Sequence, residues 1–394
     1  MFKKISLLLL PIFILILTAC GSGSGNGATQ GFSSAEKSFL YGLFKSEYLW
    51  YDQVPDNVDT STFSDPQQMI NTLRVNPPDR WSFMLTMDQY NQFANQQTAG
   101  FGFGYTPSFD IFLVRIDAPA YNKLLRGDRI VLLNGESVTT TLIAQASRNL
   151  GVPATFTVER NGSLVDVTVT PDVYTFHVSL DRVIDRNGTK IGYLRYDSFT
   201  ESSVAELETR FTALKSAGID ELVIDLRYNG GGDLSVASAL LDNISATHPG
   251  QRQFYLDWNA NYQQNNTDYR FEDAALQDGN ELNLPRIFFL VTANTASASE
   301  AVINALVPYL GSANIITVGE NTHGKPVGMR GRTYGDHIYF LINFYVRNNA
   351  GATTGFSGIT PTCNAVDDIS HIMGDENETM LAAAIYYIEN GQCP

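Results

Sequence analysis

From about residue 188 the chain repeats one pattern, a short and almost wholly apolar run followed by a stretch of helical periodicity. Ile191-Gly-Tyr-Leu-Arg-Tyr196, Glu221-Leu-Val-Ile-Asp-Leu226 and Arg286-Ile-Phe-Phe-Leu-Val291 lack the in-out alternation of a strand with one wet face. Runs of this kind read as buried strands, and their alternation with helices is the sign of an α/β layer. The periodic stretches from Ser203 to Ala217, Leu234 to Asn243, Ser297 to Tyr309 and Glu378 to Asn390 supply those helices. Asn314 to Val318 and Ile338 to Val346 are expected to add two more strands. The fold class is therefore α/β over residues 176–394, with loops leaving the ends of buried strands, where such sheets gather ligands.

Two smaller regions precede this core, which makes the whole a multidomain α+β chain. Residues 33–95 place Phe39, Leu40, Leu43, Phe44 and Leu49 near helical spacing, and Pro55, Pro66, Pro77 and Pro78 punctuate the remainder of the region. A small helical N-terminal domain is expected, ending soon after Asp79-Arg80-Trp81-Ser82-Phe83-Met84. Residues 96–175 carry short apolar runs and turn signals, among them Gly127-Asp128-Arg-Ile130 and then Asn134-Gly135, a turn, a buried strand and a tight hairpin. This combination resembles PDZ domains of exported bacterial proteases. The resemblance implies that Gly100, Phe101, Gly102, Phe103 and Gly104 form a loop whose amides meet the free carboxylate of a protein tail. A dinucleotide fingerprint is excluded there, because the third glycine is missing and no helical pattern comes after it.

Serine attacks a carbonyl only when a neighbour takes its proton and fixed donors receive the oxyanion. Thr295-Ala-Ser297-Ala-Ser299-Glu300 opens a helix, where free amides favour an anion, and Ser297-x-x-Glu300 is at the same time an ordinary capping box. Two further stretches, Asp225-Leu-Arg-Tyr-Asn229-Gly-Gly-Gly232 and Gly319-Glu-Asn-Thr-His-Gly324-Lys325, accompany it. In this order the three resemble the carboxyl-terminal processing (tail-specific) proteases, whose core is of the ClpP and crotonase type. The resemblance implies Ser297 as nucleophile and Lys325 as general base, with oxyanion amides from Ala298 and from Gly231 or its neighbour Gly232. Glu300 and Asn229 are expected to support the site. Many members carry a glutamine four positions after the lysine, whereas this chain has Met329. Either another group orients Lys325, or the chain is a divergent member, or it has lost activity and binds protein C-termini as a PDZ-containing lipoprotein.

A Ser-His-Asp hydrolase built on His323 with Asp225 or Asp336 is the rival, weakened by the lack of a Gly-x-Ser-x-Gly elbow. No metal ligand spacing occurs among the five histidines, and neither a metal nor another cofactor is expected. The net charge of −15 without clustered Lys or Arg argues against a nucleic-acid partner. At the start, Lys3 and Lys4, the apolar run to Leu17 and Thr18-Ala19-Cys20 resemble a lipoprotein leader over residues 1–19, with a Gly/Ser tether after it over 20–32. The chain is thus expected to be exported and held to a membrane by lipid on Cys20, facing the periplasm or cell surface. Its partners would be protein or peptide substrates with free C-termini. Cys363 and Cys393 then remain as an even pair in an oxidising compartment, and a disulfide is predicted.

Overall fold

The computed structural model describes residues 31–274 and 277–394, so the expected leader, Cys20 and nearly all of the expected tether lie outside the described residues. These hold eight α-helices: α1 (Ser34–Ser46), α2 (Pro66–Leu73), α3 (Met87–Ala94), α4 (Thr140–Arg148), α5 (Val204–Ala217), α6 (Leu234–Ile244), α7 (Ala298–Leu310) and α8 (Thr379–Asn390).

The core is a six-stranded sheet whose spatial order follows the chain: Ser179–Arg186, Thr189–Tyr196, Glu221–Asp225, Ile287–Val291, Ile315–Gly319 and Cys363–Asn364. The first two strands form an antiparallel pair, and every later neighbour is parallel. Alternate residues of the apolar runs separate onto the two faces. Leu222, Ile224, Ile287, Phe289 and Val291 pack on α5, α6 and α7. Val223, Phe288, Leu290, Ile316 and Val318 pack on α8. Burial on both faces explains why these strands read as continuous apolar runs. The predicted disulfide is present: Cys363 and Cys393 lie 5.5 Å apart at Cα and tie the end of the chain to the last strand.

The stretch from Ile338 to Val346, expected as one strand, is two. His337–Phe340 pairs with Phe83–Thr86 and Arg332–Tyr334, whereas Ile342–Asn348 joins a separate antiparallel sheet with Arg252–Trp258 and Val327–Met329. Leu341 at the break is itself buried, so no polar residue marks the change of partner.

The N-terminal region is helical as expected but is not closed on itself. Leu40, Phe44, Tyr48, Met69 and Ile70 share one cluster with Val327, Tyr339, Leu341 and Ile342 of the later chain. Glu36 of α1 accepts the Tyr339 hydroxyl at 2.5 Å and meets His337 Nδ1 at 2.7 Å. A region of about sixty residues is marginal on its own, and the borrowed strands add to its core. In the 96–175 region, Gln97–Gly100 pairs with Asp172–Thr175, so the chain enters and leaves side by side. Between them, a four-stranded antiparallel sheet, the pair Phe103–Tyr105 with Ile111–Val114, and α4 enclose a cluster built on Phe101, Ile111, Ile130, Leu133, Ile143 and Phe156.

Candidate active site

Three neighbouring parallel strands end at the same edge of the core sheet, and the loops after Asp225, Val291 and Gly319 meet there. The second loop ends at Ser297, the residue before α7, with φ 56° and ψ −113°. A non-glycine residue held at positive φ stores roughly 1–3 kcal/mol of strain and persists only where its surroundings fix it. Here the first loop does so. Asn229 O accepts both the Ala296 amide at 3.1 Å and Ser299 Oγ at 3.0 Å, and Thr295 Oγ1 donates to Leu226 O at 2.8 Å.

Glu300, fully buried one turn into α7, joins the second loop to the third. Its Oε2 accepts the amides of Ser297 at 3.0 Å and Lys325 at 2.9 Å. Its Oε1 accepts Thr322 Oγ1 at 2.5 Å and the Gly324 amide at 2.8 Å. Four donors replace the water that a buried carboxylate has lost. The capping box read from sequence is therefore also the clasp between the Ser297 and Lys325 loops. Thr322 was not foreseen, and no sequence signal singles out a threonine in such a loop.

Gly231 has φ 101°, and a Cβ there would stand 2.8 Å from Ser297 Cβ and 3.0 Å from the Ala298 nitrogen. The glycine thus leaves open the space before the first amide of α7, where an oxyanion beside Ser297 would sit. Its own amide, however, donates to Asn229 Oδ1 at 2.9 Å. The Asx turn that shapes the glycine loop occupies this donor, whereas among the described residues the amides of Ala298 and Gly232 have no acceptor. Asn229, buried, also donates through Nδ2 to Tyr196 O at 2.9 Å and so pins the turn to the sheet.

Lys325 lies where the third loop turns into Val327–Met329. A few of its atoms reach solvent, but dense protein surrounds Nζ. Burial lowers its pKa from the ordinary lysine value to about 8, against the opposing attraction of Asp79 and Glu300. That is the direction a lysine base requires. Among the described residues Nζ makes no hydrogen bond. Met329, at the position of the expected glutamine, packs with the N-terminal cluster.

His323 is fully occupied. Its amide donates to Thr295 O at 2.9 Å, its carbonyl accepts Arg80 Nη2 at 2.8 Å, Nδ1 faces Ala293 O at 3.2 Å, and Trp81 Nε1 donates to Nε2 at 2.9 Å. Burial first, and then the Arg80 guanidinium, lower its pKa. Its lone pair is already taken, so it is no base for Ser297. Asp225 is bound to Tyr193 and Arg227, away from any histidine. The Ser-His-Asp arrangement is not formed.

Comparison with protein families matches the description "Peptidase family S41" to residues 190–365 and "Peptidase S41 N-terminal domain" to residues 35–83, together more than half of the chain. The chain belongs to peptidase family S41. Among relatives, a carboxyl-terminal-processing protease of Picosynechococcus sp. is 25% identical over 266 residues, covering 63% of this chain and 60% of that protein. A chloroplastic C-terminal processing peptidase of Tetradesmus obliquus is 30% identical over 145 residues, 34% of this chain and 26% of that one. The matches thus span less than two thirds of these relatives. The crystal structure of an S41 protein from Bacteroides fragilis superposes with a TM-score of 0.77 at 25% identity, covering 90% of this chain and 97% of that one.

Within this S41 chain the Gly100–Gly104 segment sits apart from the three loops. Gly100 ends a strand, Phe101 is buried against Phe156, and Phe103–Tyr105 pairs with Ile111–Val114. The region meets the glycine turn through Phe112, whose ring lies 5.0 Å from that of Tyr228, and through Arg126, which donates to the Tyr228 hydroxyl at 2.6 Å.

Proposed function

We propose that this chain is a serine endopeptidase that cleaves polypeptides near their C-termini through Ser297 and Lys325. The observation that carries the proposal is the shared Glu300 carboxylate, which holds the strained Ser297 and the lysine loop on one anchor beside an uncommitted Ala298 amide. The neutral Lys325 amine takes the Ser297 Oγ proton as Oγ attacks the scissile carbonyl. The oxyanion is received by the Ala298 amide and by one amide of the glycine turn, Gly232 as it stands or Gly231 once released from Asn229. Collapse expels the amine, which takes its proton from the Lys325 ammonium, and water activated by the same lysine releases the acyl group.

The region over residues 96–175 is read as a PDZ-like module that captures a free C-terminus before cleavage, and the leader with Cys20 as the signal for export and lipid attachment. Cleavage of an unfolded protein with an apolar tail by residues 32–394, beside Ser297→Ala and Lys325→Ala, tests the proposal. Loss in both variants supports the dyad. An inert parent that still binds peptide tails supports the binding lipoprotein instead. Cleavage unchanged by amidation of the substrate's C-terminus removes the capture step.

A further inference from the structure

The lysine loop is held from two sides, and only one of them belongs to the peptidase core. Glu300 grips the amides of Gly324 and Lys325 from α7. On the other side the grip comes from the N-terminal segment Asp79-Arg80-Trp81-Ser82, through His323. We propose that Trp81 is a positioning residue for the Ser297 and Lys325 site: its indole N–H fixes His323, and His323 clamps the lysine loop to the loop that carries the nucleophile. The inference rests on the assignment of Ser297 and Lys325 as nucleophile and base.

The geometry is specific. A neutral imidazole has one donor and one acceptor nitrogen. Because Trp81 Nε1 can only donate, His323 Nε2 must accept, so the proton lies on Nδ1 and points to Ala293 O. With the backbone bond to Thr295 O, His323 touches the nucleophile loop twice, two and four residues before Ser297. The indole is itself immobilised. Arg80 lies over it at 5.0 Å, Phe356 stacks beneath it at 6.1 Å and 18°, and the Trp81 amide donates to Asp79 Oδ1 at 2.9 Å. Asp79 is fully buried and also accepts Tyr48 OH at 2.8 Å, the Ser82 amide at 2.9 Å and Ser82 Oγ at 2.5 Å. Ser82 Oγ in turn accepts the Ile342 amide at 3.1 Å, which fixes the segment to the sheet that receives the lysine loop. Phe356 closes the contact from the other direction, since a Cβ at Gly324 would meet its carbonyl oxygen at 2.4 Å.

This arrangement does the work that a side chain at Met329 does not. The charged and titratable groups around the lysine loop are Asp79, Arg80, Glu300 and His323. Three of the four are placed by the Trp81 segment or by contact with it. Loosening that segment admits water to the amine, and a solvated lysine returns toward its ordinary pKa.

The test compares the full chain with Trp81→Phe, which keeps the ring and loses the donor, and with His323→Gln, whose side-chain oxygen can still accept the indole N–H. Trp81→Phe is expected to lower kcat at pH 7 by about tenfold or more with KM changed by less than about twofold, because geometry and not binding is lost. Its rising pH limb should move to higher pH, a shift that mere destabilisation does not produce, and His323→Gln should retain most of the activity. An active parent with an indifferent Trp81→Phe overturns this inference alone. An inert parent, or cleavage that survives Ser297→Ala, overturns the dyad and this inference with it. Histidine 15N spectra of the parent, with His323 identified by its loss in His323→Gln, check the contact without any variant's activity. A neutral ring protonated at Nδ1 supports the clamp, and one protonated at Nε2 overturns it.

Discussion

Ser297 and Lys325, 28 positions apart in the sequence, donate their backbone amides to the same oxygen, Glu300 Oε2, at 3.0 and 2.9 Å. One carboxylate thus fixes where the proposed nucleophile and base can stand relative to each other, independently of any bond between their side chains. In Glu300→Gln one acceptor oxygen becomes an NH₂ donor that faces donors. The expected result is a loss of stability of about 2 kcal/mol from the unpaired buried groups. A fall in kcat of roughly 100-fold should accompany it as the two loops separate. Chemical denaturation and steady-state cleavage assays measure the two effects. Retained activity at lowered stability would show that Glu300 supports the fold and not the site.

The lysine should be visible in both activity and stability as pH changes. Its folded pKa of about 8 lies below its ordinary value, so the native state prefers the neutral amine and the unfolded chain binds the extra proton in between. Stability from this group therefore rises with pH over that window. At pH 7 both states carry the proton and the native state bears the penalty of a buried ammonium. Lys325→Met removes that penalty, so it should be more stable than the parent at pH 7. Its advantage should shrink by about 3 kcal/mol, as an upper figure, by pH 10.5. The parent's kcat/KM should climb through pH 8 as the free base forms. Urea midpoints of the two proteins across this range, and a pH-rate profile, check both statements.

Much of this site was legible because its chemistry sits in contiguous motifs at strand ends. Ser297, Lys325, Asn229 and Glu300 could each be named from the sequence, and the structure brings their loops together. What could not be read was relational. That Glu300 holds two loops, and that Asn229 Oδ1 occupies the Gly231 amide, depends on which side chains meet after folding. Asp79 to Met84 stood out as a motif, but nothing local joins Trp81 to His323, 242 positions away. The break at Leu341 was equally hidden, because apolar residues continue on both sides while the strand changes partners.

Beneath the glycine turn lies Arg227, with no solvent exposure. It meets Asp225 at 2.8 Å, Asp367 at 2.8 Å and Glu378 at 2.9 Å, and Glu378 also caps α8 through the Met380 and Leu381 amides. Arg227→Met keeps much of the volume but strands Asp225 and Glu378 as buried carboxylates without their cation. Breaking such a pair costs about 3–5 kcal/mol, more than most exposed ion pairs contribute. The urea midpoint should fall accordingly, and cleavage should fall with it, since Arg227 stands two residues before Asn229. An unchanged midpoint would mean that the acids find other partners once the guanidinium is gone.

Gly231 separates the geometry of the oxyanion space from the stability of the fold. Gly231→Ala places a methyl group 3.0 Å from the Ala298 nitrogen and 2.8 Å from Ser297 Cβ, in the space an oxyanion would use. The backbone at φ 101° adds a strain of about 1–2 kcal/mol for any residue with a side chain. Stability should fall by more than this strain, since the Ala296 carbonyl oxygen stands 2.9 Å from the same position and the loop must shift, while kcat should fall by about 100-fold or more, as when an oxyanion donor is lost. Under the proposed capture step, binding of a peptide tail to the 96–175 region should be unchanged, because that region meets the turn at Tyr228 and not at Gly231. Calorimetry with a C-terminal peptide and single-turnover acylation of Ser297 distinguish the two effects. A variant that acylates at the parent rate would place the oxyanion away from Ala298 and remove the glycine turn from the mechanism.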